Sequence, residues 1–555
     1  MTSTFGAASS RSSPRRSKRH GARVAGRAGR GLVARGSNGA LIAAFVIGVA
    51  GCATSPAATP ASSKPATSLG ATGQTPPALD AIREADLRRD IFFLASDTMR
   101  GREAGTLDEL RASMWVAKAA REAGLEPAGD DGTYFQFWPM RRTRLADASE
   151  ITIGGRRLTL WRDVLVSAPV TTTVDLPLVF VAEGANDVDV RGKAAVAEIH
   201  APTNAPAANV SLRAYRYAGL AIRQQSQALI ERGASAVIMV SDSVADDDMG
   251  WGFGGAALAR GRYGLDTART APVTPVPPNA NVPVLWVRRS MLEALRAPNQ
   301  RLQAKLFTET FSYPSVNVVA KVPGTDPARR NEYVLFSGHQ DHDGVRYPID
   351  GDSIWNGADD NASVSVALLA IGRAWSKQPA ARSALFVWHG AEERGLLGSY
   401  WHALHPVVPL ENIVAVLNGD MIGRNNPDSA ALLGTQPPHR NSTALARMAL
   451  DANDHVTHFV IDSSWDRPTH REGWYFRSDH LPYACMRVPA LFFTTLLHPD
   501  YHTPRDEPQR IDIAKLARMT RWMYATGWEV ANAPQRPALD PGFQLERRCA
   551  IGPRE

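Results

Sequence analysis

The chain has 555 residues, of which 44% are hydrophobic and 13 are tryptophan, a composition that excludes a wholly disordered protein. This length exceeds one ordinary hydrophobic core, so we expect two folded units with tails. The net charge of +7 comes from the first 51 residues, which hold nine of the 62 basic residues and none of the 55 acidic ones. The rest of the chain has 53 basic and 55 acidic residues, a net charge of −2, which argues against nucleic-acid binding.

The N-terminus is typical of an export signal. An arginine-rich stretch, residues 11–35, precedes an apolar run, residues 40–51, that is too short to cross a membrane as a helix. The run ends in Val-Ala-Gly-Cys, which resembles the lipoprotein box of bacteria and implies that Cys52 is lipidated and becomes the mature N-terminus. No Asp follows Cys52 directly, so we expect a lipoprotein of the outer membrane that faces the periplasm. The alternative is a plain secretory signal, which would give a secreted protein, or a membrane anchor.

Shifts in composition predict the domain organisation. The predicted segments are an export signal (1–51), a flexible linker (52–78), the first part of the main domain (79–142), an inserted domain (143–301), the rest of the main domain (302–534) and a C-terminal tail (535–555). The linker is rich in Ala, Thr, Ser and Pro and has no hydrophobic period. The insert differs from its surroundings in its short β-like runs.

Hydrophobic periodicity predicts the secondary structure. Apolar residues at helical spacing predict helices at 86–94, 107–124 and 217–232. Short apolar runs predict strands at residues 178–182, 194–199, 236–240, 283–287, 333–337, 384–388, 414–417 and 490–494. The glycine-rich segment 250–264 lacks the spacing of a phosphate-binding loop, and we predict an ordinary loop there.

Beyond residue 307 strands and helices alternate, which predicts an α/β fold with a mainly parallel central sheet and helices on both faces. In such sheets ligands bind beyond the carboxyl ends of the strands. His339, the pair Glu392–Glu393 and Asp420 each lie just past a predicted strand, and His502 follows the last strand by a short loop. We therefore expect these side chains in one crevice.

Only two cysteines, Cys485 and Cys549, belong to the predicted folded part. They could form one disulfide in an oxidising compartment. Cys485 precedes an apolar run, so we expect it to pack as a buried side chain.

The metal-binding residue types in this series occupy five short motifs. These motifs are SGHQDHDG, NGADDNAS, HGAEERGLLGS, LNGDMIG and YHTPRDE, in this order along the chain. Two imidazoles, two aspartates and one glutamate can hold a pair of zinc ions with one carboxylate bridging them. The second glutamate of the doublet is then free to act as a base, which is the arrangement of a metal-assisted hydrolase.

With these motifs the chain resembles the zinc-dependent dinuclear exopeptidases, a family that includes bacterial aminopeptidases, glutamate carboxypeptidase II and glutaminyl cyclases. The resemblance covers nearly all of residues 79–530 and includes the early phrase FLASDTMRGREAGT. The insert phrases DVRGKAAVAEI and ALIERGASAVIMV resemble the protease-associated domain of exported peptidases. The resemblance implies a zinc exopeptidase fold with an inserted, β-rich protease-associated domain.

The resemblance also implies the roles of the site residues. Asp360 would bridge two zinc ions; we choose it over Asp359 because the bridging residue of the family precedes a serine, here Ser363, by three positions. The implied ligands of the first zinc are His339, Asp360 and Asp420, and those of the second are Asp360, Glu393 and His502. Each zinc would keep an open position, as catalytic zinc sites do.

Three further residues have implied catalytic roles. Glu392 would be the general base that takes a proton from water and passes it to the leaving amine. Asp341 would orient the His339 ring by accepting its second N–H. Tyr475 would stabilise the developing oxyanion. Five neighbours are expected to have supporting or surface roles only: His342, Asp343, Asp359, Asp479 and His480. Val364 stands where the family often has glycine, a change that affects close helix packing.

The implied activity is removal of N-terminal residues from peptides, with two zinc ions per chain. The partners would be peptide substrates and, through the lipid anchor, a membrane, but no nucleic acid; no motif specifies an oligomeric state. A carboxypeptidase would use the same metals with a different recognition pocket. A glutaminyl cyclase would work with one zinc, and a binding protein of this fold would lack ligands; the complete ligand set argues against both.

Overall fold

The computed structural model describes residues 75–207, 210–266 and 281–550. The predicted export signal, Cys52 and most of the predicted linker lie outside these residues. Within the described ranges, no helix combines the length and the apolar character that crossing a membrane requires.

The described residues form α-helices and β-strands in alternation along most of the chain. The helices are α1 Glu84–Leu94, α2 Leu107–Glu122, α3 Arg213–Glu231, α4 Asp248–Arg260, α5 Leu292–Arg296, α6 Ser363–Lys377, α7 Leu397–Leu404, α8 Thr443–Ala452, α9 His480–Cys485 and α10 Ile513–Asn532. The strands are β1 Glu126–Pro127, β2 Phe135–Leu145, β3 Glu150–Ile153, β4 Arg156–Leu158, β5 Val164–Val166, β6 Thr172–Phe180, β7 Ala194–Glu198, β8 Ala236–Val240, β9 Arg262–Leu265, β10 Val284–Val287, β11 Arg301–Leu306, β12 Thr308–Val322, β13 Tyr333–His339, β14 Gly344–Ile349, β15 Asp352–Trp355, β16 Ser383–His389, β17 Ile413–Gly419, β18 Ser429–Leu433, β19 Val460–Ile461 and β20 Ala490–Thr494.

Helix α2 illustrates how local sequence sets these elements. The Thr106 side chain accepts hydrogen bonds from the backbone N–H groups of Asp108 and Glu109, which satisfies donors that the first helical turn leaves free. The buried residues Ala112, Val116 and Ala120 recur every four positions and face the core. The helix ends where Gly124 adopts a φ of 84°, so the predicted helix is confirmed.

The larger sheet is mixed, whereas the sequence predicted a mainly parallel one. Its strands follow the order β19-β18-β20-β17-β13-β16-β12-β2-β9, with β1 beside β12. The four central strands β20, β17, β13 and β16 are mutually parallel. Strands β12, β2 and β9 add antiparallel pairs on one side, and β18 pairs antiparallel with β20 on the other. The prediction rested on the alternating region beyond residue 307. The antiparallel strands β12 and β18 also lie in that region, and β2 and β9 lie before it.

Helices cover both faces of this sheet. On β13, Val334 and Phe336 pack into the cluster that contains α1, α2, α6, α8 and α10, while Leu335 packs on the opposite face beside Ala403 of α7 and Tyr483 of α9. Successive side chains of a strand point to opposite faces, so a strand buried on both sides reads as a continuous apolar run. The α/β class predicted from the sequence is therefore confirmed, with a mixed central sheet.

A second sheet of eight strands lies within residues 150–306, in the order β4-β3-β11-β6-β7-β8-β10-β5. The strands predicted at residues 194–199, 236–240 and 283–287 are β7, β8 and β10 of this sheet, and α3 covers the predicted helix. The predicted domain limits fall inside β2 and at the first residue of β11. These limits stay a prediction.

The loop predicted at residues 250–264 is wrong, because helix α4 and strand β9 occupy this segment. The Asp247 side chain caps α4 by accepting the N–H of Gly250. A side chain at Gly254 would come within 3.0 Å of Trp286, and one at Gly255 would collide with the backbone of Trp161. The glycines that suggested a loop therefore allow close packing of a helix.

A disulfide links the C-terminal tail covalently to the main domain. Cys485 and Cys549 form a disulfide across 64 residues, so Cys485 is a disulfide partner as well as a buried side chain. Glu546 lies 3.0 Å from Nε2 of His439, whose Nδ1 lies 2.9 Å from Asp466. The sequence could not pair the cysteines, because their approach depends on contacts between distant segments.

We expect Cys549→Ser to lower the free energy of unfolding by about 2–4 kcal/mol, since the disulfide restricts the unfolded chain over a long loop. Chemical denaturation without reductant measures this difference. Reduction of the wild-type protein should give a similar loss and should leave the variant unchanged. An unfolding midpoint equal to that of the oxidised wild type would contradict the prediction.

Candidate metal centre

The carboxyl ends of three adjacent parallel strands bring the predicted ligands together. His339 is the last residue of β13, Glu392–Glu393 follow β16 by two residues, and Asp420 follows β17 directly. Strand β13 lies between β16 and β17, so these side chains emerge side by side. His502 reaches them from the segment after β20.

Asp360 lies between the two imidazoles. Its Oδ1 is 3.2 Å from Nε2 of His339, and its Oδ2 is 3.0 Å from Nε2 of His502. Its side chain is 5% exposed, so solvent does not separate these groups. One carboxylate thus presents an oxygen to each histidine, as a bridging ligand requires.

Around His339 the structure gathers a first set of ligand atoms. The potential ligand atoms of His339, Glu392 and Asp420 all lie within 4.8 Å of one another. Nε2 of His339 is 3.6 Å from Oδ1 of Asp420. The other oxygen of Asp420 accepts a hydrogen bond of 2.8 Å from Ser478, which in turn accepts one from Asn418. This chain of hydrogen bonds holds Asp420 with one oxygen toward His339.

A second set of ligand atoms surrounds Glu393. Its Oε2 is 3.2 Å from Nε2 of His502, and its Oε1 is 2.8 Å from Nδ1 of His342. His342 is fully buried and also lies 4.0 Å from Oδ2 of Asp360. The sequence assigned His342 only a supporting or surface role, yet the structure places it among the ligand atoms. Its position three residues after His339 was the signal that could have indicated this.

Asp341 supports the glutamate doublet as well as His339. Nδ1 of His339 is 3.1 Å from the backbone carbonyl oxygen of Asp341 and 3.7 Å from its carboxylate. The carboxylate accepts the backbone N–H groups of Glu392, at 3.0 Å, and Glu393, at 3.3 Å. The side chain expected to orient His339 therefore positions the loop that carries both glutamates.

The electrostatics of this cluster fit a cation. Burial raises the pKa of Glu392 well above its usual range, and the neighbouring carboxylates add to this effect although His339 opposes it. Burial and Glu393 also raise the pKa of Asp360, but His339 and His502 outweigh them and hold it well below its usual range. Four carboxylates packed with few compensating charges are costly unless a cation joins them.

Unpaired buried atoms point to the same conclusion. Among the described residues, His339 Nε2, Glu393 Oε1 and Asp420 Oδ1 have no hydrogen-bond partner of good geometry. Buried polar atoms without partners are rare and call for an explanation such as an ion. Nitrogen and carboxylate oxygen donors are the ligands that zinc prefers. The residues present therefore fit a pair of zinc ions.

The loop that carries Asp360 is held by Asp506, four residues after His502. The buried Asp506 carboxylate accepts the backbone N–H groups of Asp359 and Asp360, both at 3.0 Å. Its own carbonyl oxygen accepts the N–H of Ala358 at 2.9 Å. Asp359 points elsewhere, because its Oδ1 accepts the N–H of Gly423 at 2.6 Å. Asp506 thus fixes the backbone from which Asp360 projects.

We expect Asp506→Ala to weaken zinc binding about 10- to 100-fold, because the backbone N–H groups of Asp359 and Asp360 then lose their acceptor and the Asp360 loop is released. Competition with a fluorescent chelator measures the affinity. Asp350→Ala is the control, since the Asp350 side chain is 80% exposed. Equal zinc affinity in the Asp506 variant and the wild type would contradict this role.

The N-terminal segment FLASDTMRGREAGT contains the buried Arg102, a residue of the site that the sequence analysis did not identify. Its guanidinium donates to the carbonyl oxygens of Gln340, Asn356 and Gly357 at 2.7, 2.7 and 2.9 Å. These carbonyls belong to the loops that follow His339 and precede Asp360. Burial lowers the pKa of Arg102 to about 10, so the group keeps its charge and clamps the two loops together.

Close packing also explains how the chain accommodates Val364, where the family often has glycine. An added side-chain carbon at Gly338 would lie 2.5 Å from Val364, and one at Gly419 would lie 2.9 Å from it. Both glycines stand next to ligand residues at the ends of β13 and β17. The space for Val364 is therefore provided by the strands, and α6 remains packed against the sheet.

Tyr475 is not brought to the ligand cluster. It is fully buried, its ring stacks on His439 at 4.2 Å, and its further aromatic contacts are Phe476 and His480. The tyrosine beside the cluster is Tyr501, whose ring stacks on His502 at 3.9 Å. Its hydroxyl accepts a hydrogen bond of 2.9 Å from Arg477. Adjacency to His502 in the sequence was the signal for Tyr501.

The model of peptidase family M28 matches residues 317–527, a segment that contains all five predicted ligands. The match covers 211 of the 555 residues, so it is a similarity over part of the chain. Strands β13, β16, β17 and β20 and the loops of the predicted ligands all lie within the matched segment.

Curated relatives are also similar to part of the chain. A probable leucine aminopeptidase of Trichophyton verrucosum is 26% identical over 45% of this chain and 66% of its own length. Leucine aminopeptidase 1 of Trichophyton rubrum is 30% identical over 25% of this chain and 37% of its own length. The chain thus spans just under two thirds of the first relative.

The similarity to solved structures extends beyond the matched segment. An aminopeptidase from Aneurinibacillus sp. strain AM-1 superposes with a TM-score of 0.52 and 18% identity, over 84% of this chain and 97% of its own. The zinc aminopeptidase BSAP from Bacillus subtilis gives the same TM-score and identity over 83% and 96%. At this identity the likeness establishes a shared fold.

Proposed function

We propose that this protein is a metal-dependent aminopeptidase of family M28 that removes N-terminal residues from peptides with two zinc ions. The observation that carries the proposal is Asp360, whose two oxygens face His339 on one side and His502 on the other. The aminopeptidase relatives and the structural likeness to a zinc aminopeptidase support the choice of reaction and metal.

His339, Asp360 and Asp420 would hold one zinc ion, and Asp360, Glu393 and His502 the other. His342 would add a further nitrogen to the second set, since it lies 2.8 Å from Glu393. When bound, zinc supplies a Lewis acid that polarises the scissile carbonyl and lowers the pKa of water toward about 7.

Glu392 would move the proton. Its Oε2 lies 3.9 Å from Nε2 of His339, and its backbone N–H is anchored on Asp341 at 3.0 Å. The carboxylate would accept a proton from the attacking water and deliver it to the leaving amine. Burial, the main cause of the raised pKa of Glu392, suits a group that must both accept and release a proton near neutral pH.

Tyr501 replaces Tyr475 as the tyrosine that would donate to the carbonyl oxygen. Arg477 already donates to its hydroxyl, so the hydroxyl proton is left to point to another acceptor. The ring is held against His502 at 3.9 Å. A donor aimed at the oxygen where charge develops lowers the barrier of acyl transfer.

The insert predicted at residues 143–301 would act as a protease-associated domain that limits access to the centre. Tyr215 of α3 and Phe253 of α4 line a cavity of about 580 Å³ whose wall also contains Glu393 and His502. The two phrases that resemble this domain support the identification. A domain that restricts access in this way favours short or extended peptides over folded proteins as substrates.

Export to the cell envelope remains part of the proposal. The basic and apolar N-terminal segment and the box that ends at Cys52 support a lipid-anchored protein. The disulfide between Cys485 and Cys549 supports an oxidising compartment such as the periplasm.

Mass spectrometry of a defined peptide pool, incubated with the full chain with and without a chelator, tests the proposed activity. We expect stepwise loss from free N-termini that the chelator stops and zinc restores. Loss from C-termini would assign the protein to the carboxypeptidases, and ammonia loss from N-terminal glutamine to the cyclases. No change with zinc present would indicate a fold kept for binding.

A further inference from the structure

A second cavity adjoins the metal centre. It has a volume of about 530 Å³ and lies between helix α3 and the segments at residues 465–472 and 497–501. Tyr501 forms part of its wall, and the same ring stacks on His502. The Tyr501 ring therefore lies between the cavity and His502, one of the proposed ligands.

Arg216 gives this cavity a positive wall. Its guanidinium carbon lies 5.3 Å from the centre of the Tyr501 ring. Its Nε is buried and has no hydrogen-bond partner among the described residues. Arg223, two helical turns further along α3, lies on the same face and also lines the cavity.

Within the described ranges no carboxylate lies within ion-pair distance of Arg216 or Arg223. The one acidic residue of the wall is Glu472, and it is shared by Arg477 at 3.3 Å and Arg471 at 3.8 Å. Burial, followed by the nearby Arg477, lowers the pKa of Arg216, although Tyr501 and, more weakly, Glu472 oppose this effect. A partly buried guanidinium without a partner is costly, and a bound carboxylate would compensate it with two parallel hydrogen bonds.

The distances suit a short peptide. The Arg216 guanidinium lies 5.3 Å from the centre of the Tyr501 ring, which lies 3.9 Å from the centre of the His502 ring, so Arg216 and His502 are at most about 9 Å apart. Two to three extended residues span this distance at about 3.3–3.6 Å each. An aminopeptidase substrate has its ammonium group on one side of the scissile bond. The positive wall of the cavity repels the ammonium group. A substrate carboxylate that binds there therefore belongs to the portion of the peptide that leaves after cleavage.

We propose that Arg216, assisted by Arg223, forms a subsite that binds a carboxylate on the leaving-group side of a short peptide. The proposal rests on the proposed aminopeptidase function and specifies its substrate class. The carboxylate has two sources: the C-terminal α-carboxylate of a di- or tripeptide, or an Asp or Glu side chain just after the scissile bond. Both present the same planar pair of oxygens to the guanidinium.

Matched peptides test the subsite and separate the two sources. Leu-Ala-Ala is compared with its C-terminal amide, and Leu-Glu-Ala amide with Leu-Gln-Ala amide, because the relatives are named leucine aminopeptidases. We expect the wild-type protein to cleave at least one acidic member with a kcat/KM about 10- to 100-fold higher than its neutral match. The pair that shows the preference identifies the source.

Arg216→Gln should abolish this preference by raising KM for the acidic peptide, with the neutral peptides unaffected. Arg191→Gln removes an equal charge from an exposed position of the same segment, where the side chain is 80% exposed, and should keep the preference. Equal loss on acidic and neutral peptides in the Arg216 variant would indicate a purely structural role and overturn the proposal.

The wild-type comparison stands even if Arg216→Gln fails to fold. Wild-type rates that are equal for acidic and neutral peptides would overturn the subsite while leaving the aminopeptidase proposal intact. Failure of the wild type to release leucine from any of the four peptides would instead contradict the proposed function itself.

Discussion

Glu392→Gln is expected to lower kcat about 10²- to 10⁴-fold, the range that a positioned general base contributes. The amide cannot accept the proton of the attacking water. The fold and the zinc content should stay unchanged, because the Glu392 backbone, which is anchored on Asp341, is retained and the side chain is not among the proposed ligands. Steady-state kinetics on a leucine peptide and metal analysis of the same sample measure both properties.

Glu411→Gln is the matched control, since Glu411 is an exposed glutamate of the same domain. It should retain wild-type turnover. If the Glu392 variant kept comparable turnover, another group would have to move the proton. If it lost one zinc ion, Glu392 would be a ligand, as its place in the cluster of His339 and Asp420 would allow.

Asp360→Ala is expected to release both zinc ions together. The first proposed site would keep only His339 and Asp420, too few for a stable catalytic zinc site with three protein ligands. The second would keep Glu393, His502 and the added nitrogen of His342, but it would lose the carboxylate that joins it to the first site. Metal analysis after gel filtration should fall from two zinc ions per chain to almost none, and activity should fall with it. Loss of one zinc ion, with the other retained, would show that Asp360 binds a single metal.

Asp359→Asn serves as the matched control for this experiment. Asp359 is the adjacent aspartate, but its Oδ1 accepts the N–H of Gly423 and its Oδ2 lies 3.5 Å from His498. An asparagine can keep the first contact. This variant should therefore retain both zinc ions, and their loss would show that the choice between the two aspartates was wrong.

The candidate centre could largely be predicted because its motifs are local. A histidine that ends a buried strand, or a glutamate pair just past one, has its position set by a few neighbouring residues. The parallel strands β13, β16 and β17 then carry these positions to one edge of the sheet. The family match over residues 317–527 includes these strands.

Residues whose direction depends on packing were harder to predict. Tyr475 and Tyr501 both lie near ligand motifs, but only the packed structure shows that Tyr475 stacks on His439 and Tyr501 on His502. Asp341 was expected to hold His339 through its carboxylate, which instead accepts two backbone N–H groups of the glutamate loop. Sequence position does not specify such side-chain directions.

The sequence by itself determined the α/β class, the order of the ligands and their places at strand ends, since these follow from hydrophobic period and short motifs. Only the tertiary structure decided the antiparallel flanks of the sheet, the Cys485–Cys549 disulfide and the approach of Arg216 to Tyr501. Each of these joins segments far apart in the chain. Their meeting depends on the register and packing of whole elements, which no local pattern encodes.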